Sequence, residues 1–328
     1  MKFEKASEAK SVAARARIPG TRTVALRWCR VCLVTAAVGT LVIHLVHRAG
    51  ADVHPAALDD LLQLSPACLS KVPTAELNLI CGSGLCPTNE ADVRQCLGTI
   101  EVWAQRVQSE TERHQYRFER NPAEFENSPG FFRMLMLAVV LAEDYGVHND
   151  TARKAGPADT RMDDGFFSDP RSVFLHGLLG PDRIGTCSSL PVLYVVVGRQ
   201  LGYPLKLVTT KGHLFVRWEG AGERFNVEAT GHGLNRLNDE YYRHWPFEIS
   251  AAEEEAEGYL RSLTPAGELA VFLSVRGMCL REAGRLSEAA QSFAAAVRLA
   301  PECRGYRTML ASLKTTLGLE NMGQNAQN

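Results

Sequence analysis

The sequence predicts an α+β domain: a helical half, then a small antiparallel sheet, with a helix pair appended at the C-terminal end. Three observations carry that expectation. Up to Tyr145 the apolar residues recur at helical spacing, from His213 to Ala229 they alternate about a Gly-rich turn, and from Ala270 to Pro301 helical spacing returns. With 328 residues, 45% of them hydrophobic and 22% charged, the chain is long enough for one sizeable core and a small second unit. The net charge of -1 gives no whole-chain reason to expect nucleic-acid binding.

The first thirty residues form a basic tail (1–30), with Lys2, Lys5, Lys10, Arg15, Arg17, Arg22, Arg27 and Arg30 against Glu4 and Glu8. An apolar run from Val31 to Val46 follows, flanked by Arg30 and by His47-Arg48. It falls a little short of the roughly 20 residues that span a bilayer, but the flanking arginines can snorkel and extend it. The expectation is a single-pass transmembrane anchor over 31–48, N-terminus cytoplasmic and the remaining chain on the outer side. The competing reading is a cleaved signal peptide, since Ala49-Gly50-Ala51 fits a small-x-small site, and the product would then be secreted.

Either reading puts the seven of the nine cysteines that lie beyond the apolar run in an oxidising space. Cys29 and Cys32 lie in or beside the apolar run. Outside it remain Cys68, Cys81, Cys86, Cys96, Cys187, Cys279 and Cys303, an odd set consistent with one thiol kept for chemistry. Cys81 with Cys86 could close a short loop, and Cys279 could bridge to Cys303, although connectivity does not follow from sequence. Thr88 or Asn89 is expected to cap a helix carrying Val93, Leu97, Ile100, Ala104 and Val107 on one stripe. Ser128-Pro129 opens another, with Phe131, Phe132, Leu135, Met136, Val139 and Val140, stopping at Gly146. The stretch from Val147 to Arg183 has little periodicity and is expected to border the site; His176 within it is a possible second imidazole there.

The chemistry concentrates between Gly185 and Thr230. Thr186 or Ser188 can cap a helix with Leu190, Leu193, Val196, Val197 and Leu201 on its apolar side, Pro191 falling in or near the first turn. Cys187 is thereby expected at a helix N-terminus, where unpaired amides and the helix dipole favour thiolate and could also donate to an oxyanion. On the following hairpin, His213, Phe215 and Arg217 share one face and Leu214, Val216 and Trp218 the other. A two-residue loop at Gly220-Ala221 puts His213 directly opposite Glu228, with Cβ atoms roughly 5 Å apart. A loop at Ala221-Gly222 shifts the pairing and keeps both side chains on that face; a three-residue loop does not. The carboxylate can then hold the imidazole while the other ring nitrogen addresses the thiol. His232 is a fallback base.

Cys at a helix start, Gly-His opening a strand (Gly212-His213), and an acid before Ala-Thr on the next strand (Glu228-Ala229-Thr230) together resemble the transglutaminase-like superfamily. More closely, the run from about Leu77 to Leu299 resembles its SirB-type branch, which joins such a domain to a tetratricopeptide (TPR) tail. The resemblance implies a papain-like α+β domain over 52–262, with Cys187 as nucleophile, His213 as base and Glu228 at the position usually held by Asp. It also implies acyl transfer or amide or peptide hydrolysis through a thioester, on protein or peptide substrates. No metal or organic cofactor is implied.

The acidic run from Glu253 to Glu257 reads as a solvated helix face, and Thr264-Pro265 caps the next helix. Leu273, Gly277, Leu280, Ala289, Phe293, Ala296 and Pro301 then match a TPR-like unit over 264–318, too short to stand alone and so expected to dock on the domain. A further helix is expected over Arg304 to Leu317, and 319–328 as a disordered tail. The rival to an enzyme is a non-catalytic scaffold, in which the helix pair binds a protein partner and the triad is degenerate.

Overall fold

Helices come first in the computed structural model, which describes residues 57–85, 92–151, 165–231 and 234–325. Short helices α1 (Leu58–Leu62) and α2 (Pro66–Leu69) lead to α3 (Thr74–Gly82), every residue of which is buried. A helix buried on all sides is a central one, and α3 touches α4 (Val93–Arg120) and several of the helices described below. Asp92 caps α4 by accepting from the amides of Arg94 and Gln95, so the cap is neither Thr88 nor Asn89, which lie outside the described residues. The expected stripe is buried at Ile100, Ala104 and Val107.

Ser128 caps α5 (Pro129–Val139), its Oγ accepting from the Phe131 amide at 2.9 Å, with Pro129 in the first turn. A π-helical turn, Val140–Asp144, then carries the chain to Gly146 at φ +69°. The apolar side of α5 is shared. Met134, Leu137 and Ala138 enter the main core, while Phe132 and Met136 meet Phe125 in a separate small cluster under the 3-10 turn Pro122–Phe125. Strand β1 (His148–Asn149), helices α6 (Pro170–Val173) and α7 (Leu175–Leu179), and strand β2 (Ile184–Gly185) follow, β1 and β2 pairing in parallel. Helix α8 (Leu190–Gln200) is buried from Leu190 to Gly198, with Pro191 in its first turn.

The sheet is an antiparallel meander of β3 (Leu205–Thr210), β4 (His213–Gly220), β5 (Glu223–Glu228) and β6 (Asn235–Leu237). Alternation gives it two faces. Leu214, Val216, Trp218, Phe225 and Val227 belong to the main core with α8, whereas Phe215 and Val208 pack with Tyr242 of α9 (Asp239–His244) and with Leu260. On that second face Arg217 is buried and anchored by Asn226 Oδ1 at 2.8 Å, the Leu260 carbonyl at 2.8 Å and Asp239 Oδ1 at 2.6 Å. A buried guanidinium is tolerated only when its donors are met in this way.

Helix α10 (Ala251–Glu257) opens with a capping box from Ser250 and Glu253. Thr264 caps α11 (Pro265–Glu282), which is followed by α12 (Leu286–Leu299) and α13 (Arg304–Asn325). A Cβ on Gly277 would lie 2.6 Å from a Phe293 ring carbon, so the glycine sets how closely α11 and α12 approach. The three helices are fused to the preceding fold, all within one compact unit, Asp52–Asn328. Glu268 of α11 accepts from Arg199 at 2.7 Å and from Thr74 at 2.7 Å, and Arg276 donates to the carbonyls of Cys81 and Ser83.

Two expectations are corrected. Helix α13 runs on to Asn325 instead of ending at Leu317, since the chain past Leu317 carries no proline to stop it. None of Cys279, Cys303 and Cys81 forms a disulfide; Cys279 packs in the main core while Cys303 turns to donate to Glu257 Oε2 at 3.2 Å. The segment 31–48 and Cys86 lie outside the described residues. Among the described residues no helix is long and apolar enough to cross a membrane.

Candidate functional site

Cys187 sits in a tight turn between β2 and α8, and that turn is tied down from both sides. Thr186 Oγ1 and Ser189 Oγ donate to the same acceptor, the carbonyl of Ser172, at 3.0 and 2.7 Å. Within the turn, Thr186 receives the Ser188 amide on its hydroxyl at 3.3 Å and the Ser189 and Leu190 amides on its carbonyl at 3.1 and 3.0 Å. Gly185 fits closely here: a Cβ would come within 2.8 Å of the Leu178 and Ser189 side chains, which would have to shift. The sulfur is therefore held one turn upstream of α8. Ser189, whose side chain makes no cap bond, occupies the N-cap position expected for Thr186 or Ser188, while Thr186 caps the turn. The amides of Ser188, Ser189 and Leu190 are occupied by Thr186, so they cannot serve an oxyanion without breaking the turn.

The other two groups come from the second face of the sheet. The β4–β5 loop is Ala221-Gly222, both at positive φ (55° and 80°), and Gly220 pairs with Glu223. That is the hairpin turn type whose twist matches the strands. Pairing is thus shifted from direct opposition: carried on from Val216↔Val227, the register sets Glu228 across from Phe215 and diagonal to His213, on one face. A glutamate spans that diagonal, and His213 Nε2 lies 2.8 Å from Glu228 Oε2.

Glu228 is saturated with donors. Oε2 also accepts from the Tyr242 hydroxyl at 3.1 Å, and Oε1 accepts from the Thr230 amide at 2.9 Å and its hydroxyl at 2.6 Å. Burial pushes this carboxyl up, but the bonds and positive charge of His213 and the two bonds from Thr230 hold it below its ordinary value. Burial and the Glu228 charge raise the Tyr242 phenol, keeping it a donor. For His213, burial alone would lower the pKa; the hydrogen-bonding influence of Cys187 and Glu228, with their charges, outweighs it and lifts the ring to about 9. Its Nδ1 is buried and makes no hydrogen bond of good geometry. Cys187 and His213 line one cavity, and the thiol contributes to the raised pKa of the ring. Trp245 meets the His213 ring edge-on, centroids 4.6 Å apart.

Cys187 is 8% exposed, and the exposed part faces a cavity of about 330 Å³ that His213 also lines. The opposite wall is built by α11, α12 and α13, and Glu257 of the supposedly solvated acidic run is part of the lining. His176 is elsewhere, in a separate cavity of about 500 Å³ that Cys187 does not line, its pKa lowered to about 4 by burial. His232 lies outside the described residues.

Sequence reasoning brought Cys187, His213 and Glu228 together but missed Tyr242 as a donor to Glu228, Ser172 as the anchor of the thiol's turn, and the helical wall. Thr230 was on view beside Glu228; the others are distant along the chain and leave no local signal. A family model described as the transglutaminase-like superfamily matches residues 95–266, a span containing all three residues and ending as α11 begins. No curated protein and no solved structure matches the chain.

Proposed function

The chain belongs to the transglutaminase-like superfamily, and from that membership we propose that it transfers acyl groups through Cys187, with His213 as base and Glu228 orienting His213. The sulfur attacks a carbonyl carbon as the thiolate, its proton already resting on Nδ1 of His213, which a pKa of about 9 keeps charged at neutral pH. Collapse of the tetrahedral intermediate breaks the C–N bond, the leaving amine takes that proton from His213, and an acyl thioester remains on Cys187. Water, deprotonated by His213, then breaks the thioester and completes amide or peptide hydrolysis; an amine in its place completes a crosslink. The observation that carries this reading is the ring of His213, held at Nε2 by Glu228 at 2.8 Å with Nδ1 left over, on the same cavity as Cys187.

The finer assignments belong to the same proposal. Helices over 264–318 are a TPR-like unit of the SirB-type branch, a reading supported by the α11–α12 hairpin and the fit of Gly277 against Phe293. Residues 31–48 anchor the chain in a membrane with the basic tail inside, supported by the order basic tail then apolar run. Substrates are proteins or peptides. The scaffold reading draws on the low exposure of Cys187.

Alkylation of the full-length protein with iodoacetamide, mapped by peptide mass spectrometry, decides between them. Cys187 should react faster than Cys68, which is the more exposed thiol, and should lose that advantage in His213→Ala. Reaction no faster than at Cys68 would overturn the enzyme and leave the scaffold.

A further inference from the structure

The wall opposite the thiol is made by a part of the chain that a nucleophile, base and orienting acid do not themselves require. Val271, Val275 and Met278 of α11, Phe293 of α12, and Tyr306 and Met309 of α13 line the cavity onto which Cys187 and His213 open. Its volume, about 330 Å³, lies within the range of roughly 300–1,000 Å³ typical of small-molecule and side-chain pockets.

Most of this lining is apolar, and several of its polar groups are bonded to their own neighbours. Thr210 Oγ1 donates to the Tyr242 carbonyl at 2.8 Å, and Ser274 Oγ donates to the Val271 carbonyl at 2.8 Å. Glu257 Oε2 receives the Cys303 thiol at 3.2 Å and the Gly305 amide at 2.9 Å. Cys303 is a poor second nucleophile, because burial, with the Glu257 carboxylate adding to it, pushes its pKa up to about 12.

We propose that this cavity receives the side chain next to the scissile carbonyl and that it selects acyl donors with a bulky apolar group there, making the C-terminal helices the specificity wall of the site. The proposal rests on the reading of Cys187 as the nucleophile. A carboxamide in this space would surrender its water against a mostly apolar wall, with only the hydroxyls of Ser188, Thr209 and Tyr259 to replace it, which is costly. A carboxylate would in addition face Glu257. The order of preference is therefore aromatic or branched aliphatic, then glutamine, then glutamate. The covalent step is unchanged: the C–N bond breaks, the S–C bond forms, and His213 carries the proton to the amine.

A series of peptidyl acyloxymethyl ketones tests this on the full-length protein, with Phe, Leu, Gln or Glu as the residue bearing the reactive group and iodoacetamide as a reference. Rates of modification at Cys187 should favour Phe and Leu over Gln by about 10- to 100-fold, the usual range for an apolar pocket discriminating by fit. Val275→Asp should bring that ratio to within a few-fold. Fast reaction of Cys187 with iodoacetamide, together with equal or faster reaction of the Gln ketone, would overturn the apolar pocket and leave the nucleophile standing. Failure of Cys187 to react selectively with any of these reagents would overturn both. If Val275→Asp does not fold, the wild-type series alone decides.

Discussion

Shortening Glu228 to aspartate restores the acid usual in the family and should nevertheless impair this site. The backbone of Glu228 is pinned in β5 by its pairing with Asn235, so the carboxylate retreats by about one C–C bond, roughly 1.5 Å. The present 2.8 Å contact with His213 Nε2 would stretch to about 4 Å, beyond hydrogen-bonding range. A hydrogen bond to a charged group contributes about 1.5–3 kcal/mol, which corresponds to roughly a 10- to 150-fold loss if the bond is what orients the ring. The assay is the second-order rate of Cys187 carboxamidomethylation in wild type and Glu228→Asp at pH 7, with circular dichroism to show that both are folded. In parallel, the pKa of His213 followed by NMR should drop from its value of about 9, because Glu228 is one of the groups that raise it. An aspartate variant as fast as wild type, with an unchanged His213 titration, would refute the diagonal-register account.

Four further outcomes are expected. Because the folded-state pKa of His213, about 9, lies above the ordinary 6.5, its contribution to stability is fully present below pH 6.5 and is lost as pH rises toward 9; thermal melts should show that decline, and His213→Ala should flatten it. The depressed carboxyl of Glu228 acts in the opposite sense, its contribution disappearing as pH falls below 4.5 toward its folded-state value. Gly277→Ala places a Cβ 2.6 Å from the Phe293 ring and should cost about 1–3 kcal/mol by urea unfolding. Glu268→Ala leaves Arg199 and Thr74 without the carboxylate they share and should cost about 3–5 kcal/mol in the same measurement.

What the amino-acid sequence determined by itself lies where a residue's effect is felt within a turn of chain. Ser128 and Thr264 cap the helices they precede, and Pro129, Pro191 and Pro265 fall in first turns, because a cap is a bond to an amide two or three positions away. The two-residue alternation put His213, Arg217 and Glu228 on one face without reference to anything else in the chain. The turn itself was ambiguous. Gly220 resembles a turn glycine but is glycine because a Cβ would strike Pro204 at 2.7 Å, and Ala221 takes the positive φ instead. Only the tertiary structure decided the diagonal pairing that calls for a glutamate, the Tyr242 hydroxyl on Glu228, the Ser172 carbonyl under the thiol's turn, and the wall that α11 to α13 raise over the cavity. Each joins segments well separated along the chain, and such contacts are set by how whole elements pack and close on one another, which local periodicity does not encode.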